Sequence, residues 1–321
     1  MSLTVAVTGP TGDIGRSYLR ALDAHKDVGR VLGMARRPFD PASLGLKKTE
    51  YRQGDILDRA ALDELFAEAD VVVHLAFIIV GSPEETRSVN LEGSRNVFAA
   101  AAAAERCHRL VYTSSVAAYG FHADNPTPLT EDIPPRGSDE HYYSAQKAEL
   151  EGALAEALEG TDVEAYVFRP CIVAGEDAMF MLEMIPGLLR KLPLVVLPDP
   201  GVPFQLVHTE DVARALVAGT VGRGEPGVYN LAGDGEVTPR DFARALGWQS
   251  LPVPGVATRI AAGVVSRMPL LPPEAYWINA FRTSVVMDTE RAKRSLRWRP
   301  RHDSRAVLMQ TVRSAREQGL V

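Results

Sequence analysis

The first fifteen residues constrain the fold more than any other part of the chain. A short β-branched run over residues 4–8 ends in Gly9-Pro10-Thr11-Gly12-Asp13-Ile14-Gly15, and a helical pattern covers residues 13–25. Glycines at this spacing let the chain turn sharply and let a diphosphate approach the backbone. The helix that follows presents free N–H groups and the positive end of its dipole to the same place. A glycine trio alone is weak evidence; the strand before it and the helix after it supply the context.

The first two-thirds of the chain continues the alternation. Strands are expected at 30–35, 49–53, 71–75, 109–114 and 163–169, and helices at 84–105 and 141–158. The run at 71–75 has the apolar character of a strand buried on both faces. Strand–helix alternation implies crossover units and a parallel sheet covered on both sides. After Pro170 prolines cluster and elements shorten, yet a helix at 209–220 and a strand at 227–231 look like returns to the main sheet. The expected architecture is α/β: a doubly wound parallel sheet (Rossmann) with a smaller, discontinuous C-terminal substrate lobe. The dinucleotide-binding part would take 1–174 plus about 209–231, and the lobe 175–208 plus 232–321.

Composition excludes several classes. Hydrophobic residues make up 46 % and charged residues 24 %, enough for a sizeable core without a metal or disulfide staple. Cys107 and Cys171 sit in apolar stretches and are expected to be reduced core thiols. A net charge of −6 argues against a nucleic-acid binder. The basic cluster from Arg291 to Arg301 has the look of a solvated helix face. The most membrane-like stretch, 179–197, carries Glu183, Arg190, Lys191, Pro186 and Pro193, which rules against a spanning helix. No secretory signal is visible, so a cytoplasmic protein is expected. The seven histidines and two cysteines show no grouping at metal-ligand spacing, and no metal is expected.

Tyr143-Ser144-Ala145-Gln146-Lys147 opens the helix at 141–158. Residues four apart lie about 40° apart around a helix, so Tyr143 and Lys147 point the same way. An ammonium beside a phenol favours the phenolate and lowers its pKa, fitting the tyrosine for proton transfer. Tyr142 precedes Lys147 by five residues and lies about 140° round, facing elsewhere.

The spacing Gly-x-x-Gly-x-x-Gly resembles the short-chain dehydrogenase/reductase superfamily, especially its extended branch, the epimerase/dehydratase family. Similar segments run over roughly residues 3 to 300: Gly54-Asp55-Ile56-Leu57-Asp58, His74-Leu75-Ala76, Asn90-Leu91-Glu92-Gly93-Ser94, Arg169-Pro170, Val207-His208-Thr209-Glu210-Asp211-Val212 and Tyr229-Asn230. The resemblance implies a nicotinamide dinucleotide held by Gly9, Thr11, Gly12, Asp13, Ile14 and Gly15. Asp55 and Ile56 would lie at the adenine, and Leu75, Ala76, Asn90, Thr113 and Pro170 along the rest of the cofactor. Tyr143 and Lys147 would also touch it. In the family segment matching Val111–Gly120, the catalytic hydroxyl precedes a Tyr-Gly pair by four residues. That selects Ser115 over Ser114, giving a catalytic set of Ser115, Tyr143 and Lys147. His208 would be a structural residue of its landmark.

Cofactor choice turns on the end of the second strand, Gly33-Met34-Ala35-Arg36-Arg37-Pro38. Ala35 stands where an NAD enzyme usually keeps a carboxylate, and Arg36 and Arg37 can grip a 2′-phosphate, so NADP(H) is preferred over NAD(H). The other reading leaves both arginines as surface residues stacking on adenine.

Dehydratases of the family carry Asp-Glu after the catalytic hydroxyl; here Val116 and Ala117 stand there, against dehydration. Residues 175–208 are methionine-rich and apolar, which suits a small hydrophobic substrate, or else forms the core of the lobe. The first reading is carbonyl reduction, or the reverse oxidation, on such a molecule. Nucleotide-sugar epimerisation is the second, and a non-catalytic cofactor sensor the third. The helices at 84–105 and 141–158 offer a face for a homodimer.

Overall fold

The computed structural model describes residues 2–79, 81–178, 194–199, 201–254 and 283–320. Seven strands form one parallel sheet: β1 (Leu3–Thr8), β2 (Val28–Ala35), β3 (Thr49–Gln53), β4 (Val71–His74), β5 (Arg109–Thr113), β6 (Glu164–Pro170) and, later in the chain, β10 (Gly227–Leu231). Their order across the sheet is β10-β6-β5-β4-β1-β2-β3. The chain starts in the middle and winds outward in both directions, so a crevice opens between β1 and β4 at the strands' C-terminal ends.

Alternate side chains of each central strand feed two cores. Val5 and Val7 of β1 and Val71 and Val73 of β4 pack with α1 (Asp13–Asp23) and α6 (Thr209–Thr220), through Tyr18, Leu19, Val212 and Leu216. Ala6 and Val72 face the other way, toward α2 (Arg59–Phe66), α4 (Gly93–Ala103) and α5 (Tyr142–Leu158). This double burial is why the central strands are apolar on both faces. Both cysteines are free and buried, Cys107 in the second core and Cys171 in the first.

Two short parallel pairs complete the described strands: β7 (Ile172–Ala174) with β9 (Leu206–His208), and β8 (Leu194–Asp199) with β11 (Gln249–Pro254). A third apolar cluster joins Leu206 and Val237 to Leu246 of α7 (Pro239–Leu246) and to Val307, Leu308 and Val312 of α9 (Ser304–Glu317). The helix at 209–220 and the strand at 227–231 do return to the main sheet. The basic cluster lies on α8 (Glu290–Ser295) and the loop beyond, where Lys293 pairs with Asp234 at 2.8 Å and Arg291 pairs with Asp132. No helix among the described residues is long and apolar enough to cross a membrane. The methionine-rich segment invoked for the substrate falls, over 179–193, outside the described residues.

The helix expected over 84–105 is three pieces: α3 (Pro83–Arg87), a π-helical turn (Ser88–Glu92) and α4. The wider turn lets Asn90 reach back to the loop after β4, and Gly93 packs so tightly on Ile56 that a Cβ there would lie 2.6 Å from its side chain. Helix α2 was not anticipated, although Asp58 caps it, accepting from the Ala61 N–H at 3.1 Å, and Leu62, Leu65 and Phe66 form its buried face.

Candidate active site

The glycine loop sits at the C-terminal end of β1 and each glycine has a distinct job. Gly9 takes φ +78°, and a Cβ there would lie 2.6 Å from the Ala76 nitrogen, so the loop and the end of β4 touch through backbone. A Cβ on Gly15 would meet the Gly9 carbonyl at 2.5 Å, which fixes how closely α1 approaches the turn. Gly12 differs: a Cβ there would meet only the Gly9 oxygen, at 3.8 Å. Its backbone therefore faces open space at the first turn of α1, beside Thr11, Asp13 and Ile14, where an anion can approach N–H groups.

The other positions implied for a dinucleotide gather along the same edge of the sheet. Leu75 donates its N–H to the Thr8 carbonyl at 3.0 Å, holding Leu75 and Ala76 beside the loop. Arg36 and Arg37 follow β2 with exposed side chains, and neither is paired with a carboxylate among the described residues. Their carbonyls accept from Gln53 and Tyr51, which fixes the turn beneath them. Asp55 is partly exposed after β3 and Ile56 is buried. Pro170 ends β6. Thr113, at the end of β5, is buried with an Oγ1 that has no hydrogen-bond partner among the described residues. An orphaned hydroxyl and an uncovered backbone beside Gly12 both suit a dinucleotide along this edge. Asn90 acts differently: its amide accepts from the Ile78 N–H at 2.8 Å and donates to the Ile78 carbonyl at 3.0 Å and Gln146 at 2.9 Å. It holds the loop after β4.

Ser115, Tyr143 and Lys147 come together. Ser115 is buried at the start of a 3₁₀ turn (Val116–Tyr119), its Oγ accepting from the Ala117 N–H at 3.2 Å, and its hydroxyl acts on the Tyr143 phenol. Helix α5 starts at Tyr142 with His141 as its cap, so Tyr143 and Lys147 are one turn apart at its beginning. Lys147 is 3 % exposed; Nζ donates to the Thr113 carbonyl at 2.9 Å and lies 3.8 Å from the centre of the Phe77 ring. Burial brings its pKa down to about 7, opposed by the negative charge of Glu151. The phenol departs from expectation: burial raises its pKa, and the Ser115 hydroxyl only counters that. The ammonium, 6.0 Å from the Tyr143 ring centre, is directed at Thr113 and Tyr112 instead. Tyr142 is turned away, donating to the Ile79 carbonyl at 2.8 Å.

A family model described as "NAD dependent epimerase/dehydratase family" matches residues 5–232. The chain belongs to this family. As a member of the epimerase/dehydratase family it is an NAD(P)-dependent enzyme of oxidoreductase type. The ceramide reductase of Caulobacter vibrioides is 31 % identical over 67 % of this chain and 60 % of its own length. In fold the chain is similar to WbmH of Bordetella bronchiseptica, solved with NAD+, at TM-score 0.73, 20 % identity and coverage of 99 % and 100 % of the two chains. It is equally similar to the UDP-glucose 4-epimerase of Thermotoga maritima, solved with UDP-glucose, at TM-score 0.73, 18 % identity and coverage of 98 % and 99 %.

Several residues around this epimerase/dehydratase-family site carried no assignment in the sequence. Phe77 covers Lys147 and packs against Tyr143 at 5.4 Å between ring centres. His74 is buried between Thr8 (2.7 Å) and Ser94 (2.8 Å), and burial lowers its pKa to about 3, so it stays neutral. Glu151 lies one helical turn beyond Lys147, a spacing of four that the Tyr143–Lys147 pair already marked out. The structure also groups His208, Glu210 and His302, with ligand atoms within 4.8 Å of one another. Spacing could not show this, because His302 arrives from the C-terminal segment. His208 Nδ1 already accepts the Glu210 N–H at 3.2 Å, capping α6.

Proposed function

We propose that the protein is an NADP(H)-dependent oxidoreductase that reduces a carbonyl, or in reverse oxidises an alcohol, on a small, largely apolar molecule. The observation that carries the reading is the convergence of three residues: Tyr143 and the buried Lys147 lie one helical turn apart at the start of α5, with the Lys147 Nζ 6.0 Å from the Tyr143 ring centre and the Ser115 hydroxyl acting on the phenol. Ser115 holds the substrate oxygen and Tyr143 exchanges a proton with it, while Lys147 holds the ribose. A bound nicotinamide supplies the hydride chemistry. The loop from Gly9 to Gly15 holds the diphosphate, Asp55 and Ile56 the adenine, and Leu75, Ala76, Thr113 and Pro170 the remaining length. Asn90 contributes by fixing Ile78. We place the substrate lobe at 175–208 plus 232–321, and a dimer on the helical face of α4 and α5, in a cytoplasmic enzyme.

An apolar substrate is supported by the rings around the phenol: Phe77 and His141 lie 5.4 and 6.4 Å from Tyr143, and Phe121 packs on His141 at 5.2 Å. It is also supported by similarity to a ceramide reductase, whose name denotes an apolar lipid. Nucleotide-sugar epimerisation is the second reading, favoured by the fold shared with a UDP-glucose epimerase. Thermal shift with cofactor present separates them. A ligand at ~100 times its Kd adds about 2.7 kcal/mol of stability, so hydrophobic ketones are expected to raise the melting temperature and UDP-sugars not. Stabilisation by UDP-sugars alone would put epimerisation first.

NADP(H) preference rests on Ala35, Arg36 and Arg37. NADPH is expected to bind more tightly than NADH in fluorescence titrations, and Arg36→Glu to abolish or reverse the preference, since a carboxylate repels the 2′-phosphate. Equal affinities in the unaltered protein would contradict the assignment.

A further inference from the structure

Tyr143, Lys147 and Glu151 form one stripe along α5 at intervals of four residues. Glu151 is 7 % exposed at its side chain and Arg169, on β6, 2 %. The two form a two-pronged pair: Arg169 Nε donates to Glu151 Oε1 at 2.9 Å and Nη2 to Oε2 at 2.5 Å. Ser114 Oγ donates to Oε1 at 2.5 Å. One carboxylate thus ties together the helix bearing Tyr143 and Lys147, the residue beside Ser115, and the strand that ends in Pro170. Arg169 is fixed in turn by the Ile133 carbonyl at 3.3 Å and the face of Tyr119 at 4.4 Å.

A buried ion pair generally contributes little net stability compared with well-packed apolar residues. Its position beneath the catalytic stripe offers a different use. We propose that Glu151, clamped by Arg169, is a positioning residue that keeps the Lys147 ammonium charged and sets the spacing of Ser115, Tyr143 and Lys147. The proposal rests on the functional reading above and extends it to a residue that touches neither substrate nor cofactor.

The surroundings of Lys147 single out this carboxylate. From its own helix it faces Tyr143 and Glu151, from β5 Tyr112, from β4 His74, and Arg169 of β6 stands behind Glu151. Tyr112 is raised well above 10 by burial and His74 is held neutral. Among the described residues, the negative charge acting on the ammonium therefore comes from Glu151.

The test reads Lys147 directly in the full chain without cofactor. Lysine side-chain ¹⁵N NMR, with the Lys147 signal assigned by its loss in Lys147→Met, is followed against pH. In Glu151→Gln the midpoint is expected to fall by on the order of one pH unit. Should that variant fail to fold, Glu151→Gln with Arg169→Met leaves no unpaired buried charge, and a smaller fall in the same direction is expected, since the more distant Arg169 charge is removed with the carboxylate. A midpoint unmoved in a folded variant overturns the proposal. Because the titration needs no turnover, its failure is distinct from failure of the functional reading, which activity of Tyr143→Phe decides.

Discussion

Tyr143→Phe is expected to lower turnover by ~10²–10⁴-fold, the usual contribution of a general acid–base group, with cofactor affinity almost unchanged. The hydroxyl works in the transition state, where a proton reaches or leaves the substrate oxygen as hydride moves, and contributes little to the ground-state cofactor complex. Lys147→Ala should lower both turnover and cofactor binding, because the ribose loses its ammonium partner and the nicotinamide its placement. Ser115→Ala should cost less than Tyr143→Phe, since it removes an orienting hydrogen bond and not the proton carrier. Tyr142→Phe is the control: its hydroxyl serves the Ile79 carbonyl. Steady-state rates and cofactor titrations on the four variants decide the matter. Loss of activity in Tyr142→Phe with activity kept in Tyr143→Phe would sink the assignment.

Arg169→Met is expected to be the most damaging single change to stability. It leaves the Glu151 carboxylate buried without its partner, and breaking such a pair from one side costs about 3–5 kcal/mol. Adding Glu151→Gln should restore part of the loss, because the second change removes the stranded charge and Gln can still accept from Ser114. The two residues touch, so their effects should be non-additive. Denaturant unfolding of the two single variants and the pair measures this. A loss in Arg169→Met of under about 1 kcal/mol would place the pair among ordinary exposed bridges.

The parts of the site legible in the sequence are those set by local rules. The phosphate loop is a matter of glycines between a strand and a helix, and Gly9, Gly12 and Gly15 divide its work as that pattern requires. The Tyr143–Lys147 pairing follows from helical repeat, and His141 marks where the helix starts. What escaped was decided by contacts between distant segments. Residues 84–105 carry an alanine-rich pattern that favours one helix, yet the bonds from Asn90 to Ile78 and Gln146 accompany a π turn in the middle. The ammonium was expected beside the phenol; burial under Phe77 and the Thr113 carbonyl direct it elsewhere. Glu151 could have been found, since a charged residue one turn beyond Lys147 on the same face needs a buried partner. That partner, Arg169, comes from another strand.

Isotope transfer decides whether the enzyme carries out net redox chemistry on a substrate carbonyl. The protein is incubated with NADPH carrying deuterium at the transferred C4 position and a panel of hydrophobic ketones and UDP-sugars, and products are read by mass spectrometry against cofactor consumed. One NADPH is expected to be oxidised per alcohol formed, with deuterium on the former carbonyl carbon and no product from Tyr143→Phe. Interconversion of UDP-sugars with no net consumption of cofactor, and no reduction of any ketone, would contradict it.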